Sequence, residues 1–245
     1  MEVHHAHVEK KRFKDYLLEG LMVFIAVTLG FFAESLRENI DARAKEREYV
    51  NSLINNLEQD KISLTAAIND NQKKLNGLDS LLSLSHKKIT DHDTKRLLYT
   101  FSQSSVTFYS NFSSNDATMI QLKNAGGLEY IKRAHVADSI ATYDQMMRSI
   151  YAAENPYARA ISDATDAMGE LLVFRVRNDS GYFRNNAYSN KDLPLLTTDP
   201  KKIEVFFNKV YLERSWTQNY LKNLQEKFPY TIRLIELLKK EYDHD

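Results

Sequence analysis

Between residues 50 and 82 the apolar positions recur at alternating steps of four and three. Val50, Ile54, Leu57, Leu64, Ile68, Leu75, Leu78 and Leu82 form the stripe, the seam of a helix packed lengthwise on another. Two polar residues, Lys61 and Asn71, stand in it. A buried polar seam residue often sets register or partner number. Lys61 is read as lying at the wet edge of a bundle. Asn71 has two readings, bundle edge or a residue that pairs across a symmetry axis. Glu46, Arg47, Glu48, Asn55, Glu58, Asp60 and Lys73 read as a solvated outer face. Neither Gly nor Pro interrupts the chain between Glu34 and Gly77, so one helix is predicted from 34 to about 85, a rise of ~78 Å.

A second seam closes the chain. Ile203, Phe207, Val210, Arg214, Thr217, Leu221, Leu224, Phe228, Thr231, Ile235, Leu238 and Tyr242 repeat the four–three spacing. Asp199-Pro200 opens that helix, with proline favoured in the first turn, and Pro229 predicts a kink or short break near Phe228. The two seams have similar length and are expected to pair antiparallel. Between them, residues 86–94 read as a polar connection, in which Asp91, His92 and Asp93 form a turn with a helix cap. A helix over about 95–104 follows, then an ambiguous aromatic run, 106–112. Ser113 and Ser114 cap a further helix that ends at Gly126-Gly127, where a left-handed residue is natural. Val136, Ile140, Tyr143, Met147 and Ile150 mark another helix. Pro156 is expected to kink it or to open the next one, with the helical face continuing to about Arg175. Residues 178–200 read as a long loop.

The N-terminal pattern is different in kind. Residues 16–33, YLLEGLMVFIAVTLGFFA, carry Glu19 as their one charge and reach ~27 Å as a helix, about the hydrocarbon thickness of a bilayer. A signal peptide has a shorter apolar core and a small-x-small end, whereas this run ends Phe31-Phe32-Ala33. The segment is read as an uncleaved transmembrane helix. Lys10, Lys11, Arg12 and Lys14 precede it, so the positive-inside rule places the N-terminus in the cytoplasm. The resulting division is a cytoplasmic tail at 1–15, a transmembrane helix at 16–33 and an extracytoplasmic helical domain at 34–245. In a bacterium this means the inner membrane with the main domain in the periplasm.

Composition narrows the possible functions. The 245 residues hold 33 basic and 33 acidic side chains and no cysteine. That excludes a disulfide scaffold and a cysteine zinc site, and it argues against nucleic acid as a partner. Gly is 7 and Pro 4, too few for a sandwich or barrel, and the expected fold is all-α, an antiparallel helical bundle behind an N-terminal transmembrane helix. His4-His5-Ala6-His7 could ligate a metal, but a solvated tail is the simpler reading. No nucleophile elbow, zincin helix or phosphate loop is present. No enzyme activity, metal or cofactor is expected.

Segment 120–132, IQLKNAGGLEYIK, with Ile140-Ala141-Thr142-Tyr143 and the glycine-bearing span, resembles uncharacterised single-pass membrane proteins common in Bacteroidota. Those proteins share a span, a charged helix and an L-x-x-x-G-x-L-x-x-I segment. The resemblance covers roughly residues 16–150. It implies a single-span topology and supplies no activity. Three residues are candidates for interaction. Glu19 is either an interfacial carboxylate or a polar contact to a partner or ion inside the membrane. Gly30 shares a face with Ala26 and Ala33, which allows close helix approach. Asn71 is the polar seam residue. The expected partners are the lipid bilayer and either a second copy of the chain or another membrane protein. The expected role is a helical interaction or assembly module, an accessory subunit or scaffold of a membrane complex. The alternative is a periplasmic helical-bundle sensor that signals through a partner in the membrane.

Overall fold

The computed structural model describes residues 12–124, 126–173 and 193–242. The fold is all-α. In chain order the helices are α1, Phe13–Leu82, α2, His92–Phe101, α3, Ala117–Asn124, α4, Ala134–Leu171, and α5, Pro200–Tyr242. A π-turn at Ser102–Val106 follows α2 and a 3-10 turn at Gly127–Tyr130 follows α3. The chain divides into two compact units, Met1–Tyr49 and Val50–Asp245. The histidines at 4, 5 and 7 and most of the 178–200 loop lie outside the described residues.

In the first unit the described residues form one helical stretch, and every side chain from Arg12 to Asp41 is exposed. In the second unit, three long helical segments pack side by side. Their directions follow from the side chains that meet. Asp60 and Asn71 of α1 bond Tyr143 and Tyr157 of α4, so α1 and α4 run parallel. Glu58 meets Lys239 and Asp79 meets Arg214, so α5 runs antiparallel to α1, as the paired seams predict. The α4–α5 contacts, Asp163–Lys209 and Ser149–Asn223, are antiparallel as well.

A parallel α1–α4 pair needs a return path, and residues 107–116 supply it. They are irregular and extended. The seven steps from Phe108 to Asn115 cover ~23 Å at strand rise, against ~21 Å of α1 between Asp60 and Lys74. This strap therefore lies nearly fully stretched along the helix. The aromatic run that was ambiguous by periodicity is thus neither helix nor strand. One sheet-like contact occurs among the described residues, an isolated antiparallel bridge of Leu172 with Leu195.

Local expectations are corrected at the start of α2 and the end of α4, and at the two prolines the helix neither breaks nor restarts. α2 begins three residues before the expected start. Asp91 caps it, accepting from the Thr94 amide at 3.2 Å. Pro156 and Pro229 sit inside unbroken helices. Proline leaves the carbonyl four residues earlier without its amide partner. Here those residues, Ala152 and Gln225, are on exposed faces, where water can take the bond. α4 ends at Leu171, because Leu172 is extended (φ −109, ψ 146) and enters the bridge to Leu195. At the other boundary the expectation holds, with Gly126 left-handed at φ 62.

The seam of α1 is shifted by one row. The buried positions are Val50, Leu53, Leu57, Asp60, Leu64, Ala67, Asn71, Lys74, Leu78 and Leu81, the a and d positions of one heptad. Ile54, Lys61, Ile68 and Leu82 of the expected row are only half-buried, while its Leu75 is buried as well. Asp60, expected on the solvated face, is 2% exposed. The α5 seam is largely as expected, with Phe207, Val210, Thr217, Leu221, Leu224, Thr231, Ile235 and Leu238 buried, but Glu213 is fully buried in place of Arg214, which is half-buried and pairs with Asp79. Gly77 sits where α1 is closest to the π-turn. A Cβ there would overlap Ser105 Oγ and lie 3.0 Å from Ser105 Cβ, so glycine lets the π-turn press against α1.

Candidate functional site

Two features stand out from ordinary bundle packing. The first is the apolar start of α1. One stretch of the helix is long and apolar enough to cross a membrane, with mean hydropathy 2.0 and none of it buried. Phe24, Phe31 and Phe32 are 67%, 74% and 62% exposed. A soluble surface helix keeps an apolar stripe for its core and a polar face for water; this one is apolar all round. Its backbone bonds are made within the helix, as a hydrocarbon environment demands. Thr28, the lone hydroxyl in its second half, donates to the Phe24 carbonyl at 2.8 Å.

The structure places the three candidate residues in two settings. Glu19 and Gly30 lie on exposed helix surface. They are eleven residues apart, which at ~100° each puts them on nearly one face, ~16 Å apart along the axis. A Cβ built on Gly30 meets nothing within 4 Å, so that face is open in the single chain. Asn71 is elsewhere, fully buried in the bundle. Its amide nitrogen donates to the Ala67 and Ser110 carbonyls at 2.8 and 2.9 Å, and its oxygen accepts from the Tyr157 hydroxyl at 2.8 Å. Both amide protons and the amide oxygen find partners within its own chain.

The second feature is the polar seam around Asn71. Lys74 and Glu213 are both 0% exposed, and Lys74 Nζ lies 2.7 Å from Glu213 Oε1. Lys74 also donates to the Phe108 carbonyl of the strap and sits 5.6 Å from the Tyr157 ring centroid. Glu213 Oε2 has no hydrogen-bond partner among the described residues. Removal from water dominates both groups, as it disfavours whichever form is charged. It pushes the Glu213 carboxyl up to about 8 despite the opposing pull of Lys74, and it lowers the Lys74 ammonium despite Glu213.

Buried tyrosines and acids complete the clasp on the strap. The Phe112 amide donates to the Tyr220 hydroxyl at 2.9 Å, the Ser114 amide to the Tyr151 hydroxyl at 3.1 Å, and the Asn115 amide to Asp60 Oδ1 at 2.6 Å. Tyr143 donates to Asp60 Oδ2 at 2.6 Å. Burial raises the Asp60 carboxyl against these two bonds, and Asp116 adds to the rise. Tyr157 stacks on Tyr220 at 4.7 Å between centroids and meets Tyr109 at 5.6 Å. A small cavity of about 40 Å³ lies against Asp60, with Met119, Met147 and Tyr151 among its walls. Every side chain that holds the strap comes from α1, α4 or α5. A segment that builds no ladder of its own must satisfy its backbone this way.

Sequence reasoning did not find Asp60, Lys74 and Glu213. A signal was available. Read one row over, positions 53, 60, 67, 74 and 81 give Leu, Asp, Ala, Lys and Leu, a seam with charges two heptads apart. Among the described residues no group of three His, Cys, Asp or Glu side chains could hold a metal. His92 and Asp93 contact each other at the surface, while Asp91 is engaged as a cap. Comparison with family models, curated proteins and solved structures gives no match.

Proposed function

We propose that this chain is a membrane-anchored helical module for interaction or assembly, an accessory subunit or scaffold of a membrane complex. The observation that carries the reading is the exposed apolar start of α1, which finds no cover among the described residues. Exposed apolar area of this extent marks a lipid- or protein-facing surface. Basic residues ahead of the span favour a cytoplasmic N-terminus, and the bundle then lies outside the cytoplasm, in a bacterium the periplasm.

The test is proteolysis of spheroplasts that carry the full chain. Protease added outside should degrade everything beyond about residue 34. A protected C-terminal unit would overturn the topology. Recovery of the chain in the soluble fraction after lysis, without detergent, would overturn the anchor itself. Mass in mild detergent then separates self-association, in which Gly30→Leu should lower the mass, from binding to a different membrane protein.

A further inference from the structure

The strap at 107–116 has an unusual mode of attachment. Helices and sheets hold their backbones with repeated internal bonds, so they open only with the element. The strap is held by separate side-chain contacts, from Lys74, Asn71, Tyr220, Tyr151 and Asp60. Such a segment can lift while the three long helices stay packed, because none of its own bonds belongs to their ladders. At one end the holding group is a fully buried ammonium, itself held by a fully buried carboxylate. That arrangement makes seating sensitive to a proton.

We propose that the 107–116 strap is a releasable clip, and that the charge state of the buried Lys74–Glu213 pair decides whether it is seated. The inference does not rest on the membrane reading. Lys74 links the two parts, since it bonds both Glu213 and the Phe108 carbonyl. When the strap lifts, the Lys74 side of the pair opens to water and Glu213 returns toward its ordinary carboxyl value. The seated form holds a proton on Glu213 up to about 8, while the lifted form releases it at lower pH, toward the ordinary value of 4.5; the lowered Lys74 ammonium works in the opposite sense. The seated form therefore binds the Glu213 proton more tightly. Its advantage is complete below about 4.5 and is lost as pH rises through about 8.

Other charged and titratable groups face this region. From α1 there is Asp70, bonded by Ser110 at 3.4 Å, and from the strap Tyr109. From α4 there are Tyr157 and Glu154, and from α5 Tyr220. Burial raises Tyr109, Tyr157 and Tyr220 above the ordinary phenol range, so they stay neutral through the window. Burial raises Glu154 as well; it lies near Tyr220, at 3.4 Å. Asp60, at the far end of the strap, shifts in the same direction and is a competing sensor.

Hydrogen exchange on the full chain in detergent tests the clip. The reporters are the Phe112, Ser114 and Asn115 amides, read against amides in the middle of α4 and α5. After correction for intrinsic exchange, one linked proton lets strap opening rise by about tenfold or more between pH 6 and 8. The α4 and α5 amides should stay protected over the same range. Glu213→Gln keeps the shape and should abolish the pH dependence, and Asp60→Asn should leave it. Strap amides that exchange in step with the bundle would overturn the proposal. So would a pH dependence that survives Glu213→Gln, or one that Asp60→Asn removes. The wild-type pH series needs no variant and decides the first of these alone.

Discussion

Lys74→Met separates the roles of the buried pair most cleanly. Methionine keeps an apolar stem of similar length while removing the ammonium. Two groups are then stranded. Glu213, 0% exposed, loses its only cationic partner among the described residues, and the Phe108 carbonyl loses its donor. Breaking a buried pair from one side costs about 3–5 kcal/mol, less whatever Glu213 recovers by staying protonated. An orphaned carbonyl adds about 1–3 kcal/mol. For a chain of this size each kcal/mol shifts the midpoint by about 2–4 °C, so a loss of about 10 °C or more is expected. Replacing both partners, Lys74→Met with Glu213→Leu, should recover most of the loss, because an apolar pair is often as stable as a buried ionic one. The Phe108 carbonyl should remain as a deficit of about 1–3 kcal/mol. Thermal unfolding of the detergent-solubilised chain is the assay, followed by circular dichroism and by the fluorescence of Trp216, the single tryptophan. A single variant within about 1 kcal/mol of wild type, or a double variant no better than the single, would refute the reasoning.

Tyr143→Phe removes the hydroxyl that bonds Asp60 at 2.6 Å without changing ring packing. It should cost about 1.5–3 kcal/mol as a bond to a carboxylate, and denaturant titration would show the fall in midpoint. Gly77→Ala gains about 1 kcal/mol of helix propensity, but the added methyl overlaps Ser105, which is 2% exposed. Overpacking of about 1–3 kcal/mol should leave the variant neutral to destabilised, and a clear rise in melting temperature would contradict the close approach. Stability of the whole bundle should fall as pH rises from about 5 to 8. Burial raises the Glu213 carboxyl to about 8, so the fold prefers its protonated form, and that preference is lost across this window. Glu213→Gln should flatten the profile, as read from melting temperatures at successive pH values.

Much of the architecture was written in local pattern. The apolar run at 16–33, the cap at Asp91, the left-handed Gly126 and the proline start of α5 depend on near neighbours in sequence. Local chemistry determines them, and they can be read from local chemistry. The break at Pro229 and the new helix at Pro156, each one of two readings, do not occur. A missing amide predicts a break only where no water can reach the orphaned carbonyl, and exposure of Ala152 and Gln225 is a property of the packed bundle.

The α1 seam shows where local reading stops. Two heptad rows were open to choice, one carrying Ile54, Lys61, Ile68, Leu75 and Leu82 and the other Leu53, Asp60, Ala67, Lys74 and Leu81. Hydrophobicity favours the first, with three large aliphatic side chains beyond Leu75. Packing selected the second, with Leu75 the one residue of the first row that is buried too. The cost of burying Asp60 and Lys74 is offset by groups far along the chain: Tyr143 and the Asn115 amide for the one, Glu213 and the Phe108 carbonyl for the other. Two of these four partners are backbone groups of the strap, so their orientation is encoded by no side chain at all. The second row becomes the better one only when the strap is present to be held. The phase of the seam and the path of the strap are therefore one decision, and hydrophobic spacing along α1 records only half of it.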